Sequence, residues 1–242
     1  LDGVQIPDLM EIESFRIPIE TTRALSQLLG GKISIGVTAP GTFNVAQALI
    51  GVERMMSCMY KERDFVLRVA DVACDVLIEL AKAHVAVGAE FAYYPDATSS
   101  PALLSPKLYR EIAVPFHRKF FAAMKRLDIP SIYHPCGGEY PIICQVLGLE
   151  DVDGFHFSEL VDPGVARQIA GPKVLLVASV KPDVLLFGTP EQVEMEVQTI
   201  IKNTAKNGRL MVGIGCTMPP DIPIANLDAL VQSVRKHGKY PL

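Results

Sequence analysis

The stretch EFAYYPDATSSPALLSPKLYREIAVPFHRKFFAAMKRLDIPSIYH, residues 90–134, reads as strand, loop, helix and strand in that order. Residues 90–94 and 131–134 are short apolar runs rich in aromatic side chains and bounded by turn formers, the signature of buried strands. Between them, Ser105 followed by Pro106 is a helix cap with proline at the first helical position, opening a helix through about Lys125.

The same alternation extends outward in both directions. Further strand-like runs fall at 33–38, 154–157, 174–179 and 210–214, several of them apolar throughout, as strands buried on both faces must be. Residues 64–87 carry apolar side chains at spacings of three and four, with Asp64, Arg68, Asp71, Asp75, Glu79 and Lys82 on the other face. Thr189-Pro190-Glu191-Gln192 is a capping box for a helix bearing Val193, Met195, Val197, Ile200 and Ile201. A last helix is expected from about 224 to 236, and residues 19–29 read as a helix leading into the first strand. Strand alternating with helix implies an α/β chain with a parallel sheet and helices outside it. Its favoured closed form, the TIM-type (β/α)8 barrel, needs eight strands, and six are visible. Two more units would take about 60 residues. Residues 1–242 are therefore expected to form a single barrel domain from which an amino-terminal portion with the first strands is missing.

Composition narrows the partners. With 242 residues, 49 % apolar and 21 % charged, the chain has material for one sizeable core. A net charge of −4, with no Lys/Arg block, argues against nucleic acid or an anionic membrane as the main partner. No apolar run is long enough to span a bilayer. Five cysteines without a disulfide framework point to a reducing compartment, and so to the cytoplasm.

Chemistry concentrates where two strands end. Residues 131–133 run into His134-Pro135-Cys136, and residues 210–214 run into Gly215-Cys216. One imidazole and two thiolates make a zinc ligand set with an open fourth position, which distinguishes a catalytic zinc from a structural one. Carboxyl ends of parallel strands share a face, so residues distant in sequence meet there. Cys58, Cys74 and Cys144 lie in helix-like stretches and read as packing residues. His84, His117 and His237 read as surface or packing residues, and His156, between two phenylalanines, as core. Asp96 and Tyr94, at the end of their strand, are candidates for positioning a substrate, with turn chemistry as the competing role for Asp96.

Residues 94–106, Phe187-Gly188-Thr189-Pro190-Glu191 and Pro220-Asp221-Ile222-Pro223 resemble landmarks of the uroporphyrinogen decarboxylase superfamily, from about residue 33 to the end. Within it, the chain is similar to the zinc-dependent, corrinoid-linked methyltransferases. In those proteins a His-x-Cys after the fifth strand and a Cys after the eighth hold zinc, which match His134, Cys136 and Cys216. The decarboxylases carry no metal and have a histidine where this chain has Cys216. The resemblance implies transfer of a methyl group between a corrinoid, as methylcobalamin or on a corrinoid protein, and a zinc-activated thiol such as coenzyme M. It also implies a role for Glu159, since related enzymes place a displaceable carboxylate ligand near this position. The chain lacks a cobalamin-binding motif, so the corrinoid is expected from a separate partner. Lys181, in Ala178-Ser179-Val180-Lys181-Pro182, departs from the usual pattern and leaves the acceptor open, as is the direction of transfer. A decarboxylase, a substrate-demethylating methyltransferase and a non-catalytic subunit stand as alternatives. A homo-oligomer is compatible with all of these.

Overall fold

The structure is a computed structural model, and residues 3–100, 103–137, 152–206, 208–215 and 217–240 are described. They fall into two compact units, residues 3–135 with 152, and residues 136–137 with 153–240.

The first unit runs α1 (Glu13–Leu29), β1 (Gly36–Thr38), α2 (Thr42–Ile50), α3 (Val52–Lys61), α4 (Arg63–Ala86), β2 (Phe91–Pro95), α5 (Pro106–Leu108), α6 (Val114–Arg126) and β3 (Ser131–His134). All three strands are parallel, with Gly36 opposite Phe91 and Pro95 opposite His134. The amphipathic pattern of α4 is realised: Val66, Val69, Ala70, Ala73, Cys74, Leu77 and Ala81 are buried. Lys119 of α6 reaches Asp71 and Asp75 of α4 at 2.6 and 2.7 Å across the outer surface. Helix α1 begins at Glu13 rather than at 19, because Pro18 is accommodated inside it. Helices α2 and α3 have no counterpart in the sequence reading. Each starts without a side-chain cap from its own segment, so the local signal for a helix start is missing.

Between α5 and α6 lies a wide turn, Tyr109–Ala113, in which Val114 N–H reaches back five residues to the Tyr109 carbonyl. Pro115 explains it. Proline has no N–H to donate, and in a regular helix its ring would collide with the carbonyl four residues back. Widening the preceding turn relieves that collision and lets the helix continue.

The second unit runs β4 (Gly154–His156), α7 (Pro163–Ala170), β5 (Leu175–Val180), α8 (Pro182–Phe187), α9 (Pro190–Thr204), β6 (Leu210–Ile214) and α10 (Ile224–His237). Its strands are also parallel, Gly154 opposite Leu175 and Val180 opposite Ile214. The capping box at Thr189 and Gln192 forms as read from sequence. Asn226 donates to the Leu185 and Gly188 carbonyls at 2.8 and 2.9 Å, tying the end of α8 to α10.

At the opposite end of these strands, the Arg167 guanidinium donates to five carbonyls: Thr204, Gly171, Val174, Gly208 and Arg209, at 2.8 to 3.4 Å. Those carbonyls belong to α7, α9 and the starts of β5 and β6, so one planar cation closes the base of the unit. Arg167→Met should lower unfolding free energy by about 2–4 kcal/mol, because several acceptors lose a charged donor together. Arg167→Lys should recover little of it, a point charge being unable to serve five directions. Urea denaturation of the three proteins checks this.

His84 of α4 lies buried against α1, its Nδ1 2.8 Å from Thr22 Oγ1. Burial lowers its pKa, so the folded chain holds the neutral ring. That contribution is complete above the unfolded value of about 6.5 and is lost as pH falls below it toward the folded value. The melting temperature should therefore drop between pH 7.5 and 5.5 by more in the wild type than in His84→Gln, as differential scanning calorimetry would read.

Candidate functional site

Strand alternation assigns the side chains at the end of the first unit's sheet to two faces. Tyr94 and Tyr133 are paired in register and fully buried. Their rings pack on Phe120 and Phe121 of α6, with Tyr94 and Phe120 centroids 4.4 Å apart. This is the helix-covered face. Tyr93 and His134 occupy the other, where their rings stack at 5.9 Å and 20°. His134 is 2 % exposed, and its carbonyl accepts the Asp96 N–H at 3.1 Å.

Asp96 lies on the helix side with Tyr94. It is completely buried, and its Oδ2 accepts from the Phe43 N–H at 3.2 Å and lies 3.3 Å from His117 Nε2. Tyr94 Oη accepts the Thr42 N–H at 2.8 Å and donates to Thr42 Oγ1 at 2.7 Å. Asp96 and Tyr94 thus cap helix α2 from a neighbouring strand, where the dipole of the helix favours a carboxylate. Gly41, which precedes α2, passes so close that a Cβ there would overlap Asp96 Cβ at 2.1 Å. Asn44 completes the junction, donating to the Pro95 carbonyl and accepting from Thr98 N–H and Oγ1. Burial raises the phenols of Tyr94, Tyr109 and Tyr133, which remain neutral. Among the described residues, Asp96 Oδ1 has no hydrogen-bond partner.

Cys136, two positions beyond His134, is half-buried and not part of a disulfide. Cys216 lies outside the described residues, as does Cys144. Among the described residues, no group of three His, Cys, Asp or Glu side chains is gathered as for a metal ion. Two members of the three-residue set read from sequence, His134 and Cys136, are within that description.

Glu159 follows β4. Ser158 Oγ donates to its Oε2 at 3.3 Å, and the same oxygen is packed against Gly215: a Cβ on that glycine would sit 2.9 Å from Oε2 and 3.0 Å from Pro182 Cγ. Gly215 immediately precedes Cys216. The carboxylate and that strand end therefore meet at a point where only glycine leaves room. Beside Glu159 is a pocket of about 360 Å³ whose walls include Ser179, Lys181, Met195 and Glu196. Glu196 accepts the Lys181 backbone N–H at 2.8 Å, and burial raises its carboxyl pKa.

Of the other described histidines and cysteines, His156, Cys58, Cys74 and His237 are buried or held in local contacts. Ser179 donates to the Phe157 carbonyl at 3.1 Å, so its oxygen accepts from His156 Nε2 at 2.9 Å, and His156 is buried as read from sequence. Cys58 and Cys74 are buried, and burial pushes the Cys74 thiol up to about 11, keeping it protonated and unreactive. His237 is engaged with Glu194 at 2.8 Å.

The family model for uroporphyrinogen decarboxylase (URO-D) matches residues 1–237. The chain belongs to the uroporphyrinogen decarboxylase family. Among curated members similar to it are a methylated-thiol–coenzyme M methyltransferase of Methanosarcina mazei, 28 % identical over 97 % of this chain and 62 % of that protein, and a methylcobamide:CoM methyltransferase of Methanosarcina barkeri, 25 % identical over 96 % and 67 %. The chain thus spans about two thirds or less of the length of these relatives. A solved methyltransferase structure from Methanosarcina mazei superposes with a TM-score of 0.89 at 24 % identity, covering 99 % of this chain and 69 % of that one. A B12-independent methionine synthase from Shewanella sp. W3-18-1 has a TM-score of 0.65 at 14 % identity, covering 90 % and 66 %. This family member therefore has the barrel fold expected from its strand and helix alternation, with six strands of it among the described residues. No helix among the described residues is long and apolar enough to cross a membrane.

The sequence reading gave His117 only a surface or packing role and Gly215 no role of its own. A glycine directly before a loop-end cysteine is a signal for close approach. Gly215→Ala should cost about 1–2 kcal/mol by forcing Pro182 and Glu159 apart. Glu159→Ala in the same chain should return part of that loss, and a double-mutant cycle in urea measures the coupling.

Proposed function

We propose that this chain is the methyl-transferring part of a zinc-dependent methyltransferase that moves a methyl group between a corrinoid and a small thiol. Support comes first from the curated relatives, whose names describe methylcobamide:CoM and methylated-thiol–coenzyme M methyltransferases. The observation that carries the reading in this chain is the packing of Glu159 Oε2 against Gly215, which sets a carboxylate beside the residue preceding Cys216.

The donor chemistry fits zinc. His134, at the end of β3, and Cys136 are an imidazole and a sulfur two residues apart, and Cys216 supplies the third donor in this reading. Bound there, zinc would hold a substrate thiol as thiolate at neutral pH while leaving it nucleophilic. The chain's own groups do the rest. Tyr93 stacks on the His134 ring and holds its plane. Glu159, whose Oε2 lies beside Gly215, would serve as the displaceable carboxylate ligand that yields its place to the thiol, the thiol proton passing to solvent. The pocket next to Glu159, with Lys181 on its wall, admits the remainder of a small acceptor. The corrinoid is a separate reactant, brought by a corrinoid protein or free in solution. A decarboxylase is the less favoured reading, because it has a histidine where this chain has Cys216.

Zinc analysis combined with methylcobalamin spectroscopy tests the proposal. The chain should retain one zinc and, given coenzyme M, bleach the methylcobalamin spectrum. Cys136→Ala and Cys216→Ala should lose both the metal and at least about 100-fold in rate, since a broken ligand set no longer activates the thiol. Full methyl transfer by a metal-free preparation would overturn it.

A further inference from the structure

We propose that His117, buried in α6 behind the sheet, is a positioning residue that orients His134 through Asp96. The inference rests on His134 being a zinc ligand.

The geometry begins with Asp96. Its Oδ2 has two protein neighbours, Phe43 N at 3.2 Å and His117 Nε2 at 3.3 Å, and its own N–H donates to the His134 carbonyl at 3.1 Å. The His117 ring also packs on Tyr133, the residue preceding His134, at a centroid distance of 4.9 Å. His117 therefore touches the residue bonded to His134 from one strand and the residue joined to it in the other. Both Asp96 and His117 are fully shielded from water. Neither has a solvent partner to fall back on.

The partners of His117 select one tautomer. Ser99 Oγ donates to the Asp96 carbonyl at 3.3 Å, so its oxygen faces His117 Nε2, also at 3.3 Å, as an acceptor. Asp96 Oδ2 is a second acceptor for the same nitrogen. Nε2 must carry the hydrogen. Nδ1 then faces Tyr109 Oη, 3.1 Å away and kept protonated by burial, as its acceptor.

The helix is built for this arrangement. In a regular α-helix, residues eight apart lie about 80° out of line, at about 100° per residue. The wide turn at Tyr109–Ala113 absorbs one residue, so Tyr109 and His117 behave as a seven-residue pair, about 20° apart and on one face. The turn that accommodates Pro115 thereby brings Tyr109 under the imidazole.

Partners that orient a metal ligand typically alter affinity about 10–100-fold when removed. Zinc affinity of the whole chain, by competition with a chromophoric chelator, should fall at least about 10-fold in His117→Leu. It should stay within about threefold of wild type in His117→Gln, whose side-chain amide keeps an N–H near the Nε2 position. Tyr109→Phe, which preserves packing, should weaken zinc several-fold. It should also shift the His117 ring nitrogens in a long-range 1H–15N spectrum of the metal-free protein. The wild-type spectrum should show the Nε2–H tautomer, assigned by its loss in His117→Gln. Folded His117→Leu or Tyr109→Phe protein with wild-type zinc affinity would overturn the proposal, as would a wild-type Nδ1–H tautomer. If the wild type itself holds no zinc, the functional reading falls along with this one. That outcome is distinct from a zinc-binding wild type indifferent to His117.

Discussion

The first amides of helix α2 have no acceptor in their own segment, and the sheet supplies it. Thr42 N–H is taken by the Tyr94 hydroxyl and Phe43 N–H by the Asp96 carboxylate. Because unpaired buried amides are costly, this arrangement fixes α2 to the end of β2 and brings Asp96 under cover. Its own N–H then secures the end of β3, and its Oδ2 needs a second donor, which α6 provides as His117. The order of the strand ends in the first unit follows from satisfying those groups.

Asp96, a candidate for positioning substrate, also holds the framework: its carboxylate takes the Phe43 N–H at the start of α2. It sits on the helix-covered face with Gly41 pressed against its Cβ. What it controls is the neighbouring strand end, where His134 and Tyr93 stack on the opposite face. In the second unit the corresponding constraint is steric. Glu159 approaches the chain before Cys216 only because Gly215 has no side chain, and Pro182, the first residue of α8, closes the same gap.

In both units the candidate side chains lie at or just past strand ends. The buried cysteines illustrate the difference that position makes. Cys74, in the middle of α4, is held protonated by burial, whereas Cys136, just past the end of β3, is partly open. Arg167 plays the opposite part at the other end of the second unit's strands, satisfying carbonyls so that the base is closed.

The strands, the long helices and their caps were legible in the sequence because their causes are local: apolar runs, three-and-four spacing, Ser105-Pro106 and the Thr189–Gln192 box. The candidates His134, Cys136 and Cys216 stand out in the sequence by residue type at the ends of apolar runs, and Glu159 through the family resemblance. Helices α2 and α3 were not, because the partners of α2 lie about 50 residues away in sequence and no nearby residue marks the start. His117 looked like any histidine on a basic helix surface. Composition and periodicity thus determine which segments are strands, which are helices and which ends carry chemistry, all consequences of neighbours in the chain. Only the folded chain decides that Asp96 turns toward the helices and that His117 stands behind it, because burial and hydrogen-bond pairing depend on residues brought together from separate strands and helices.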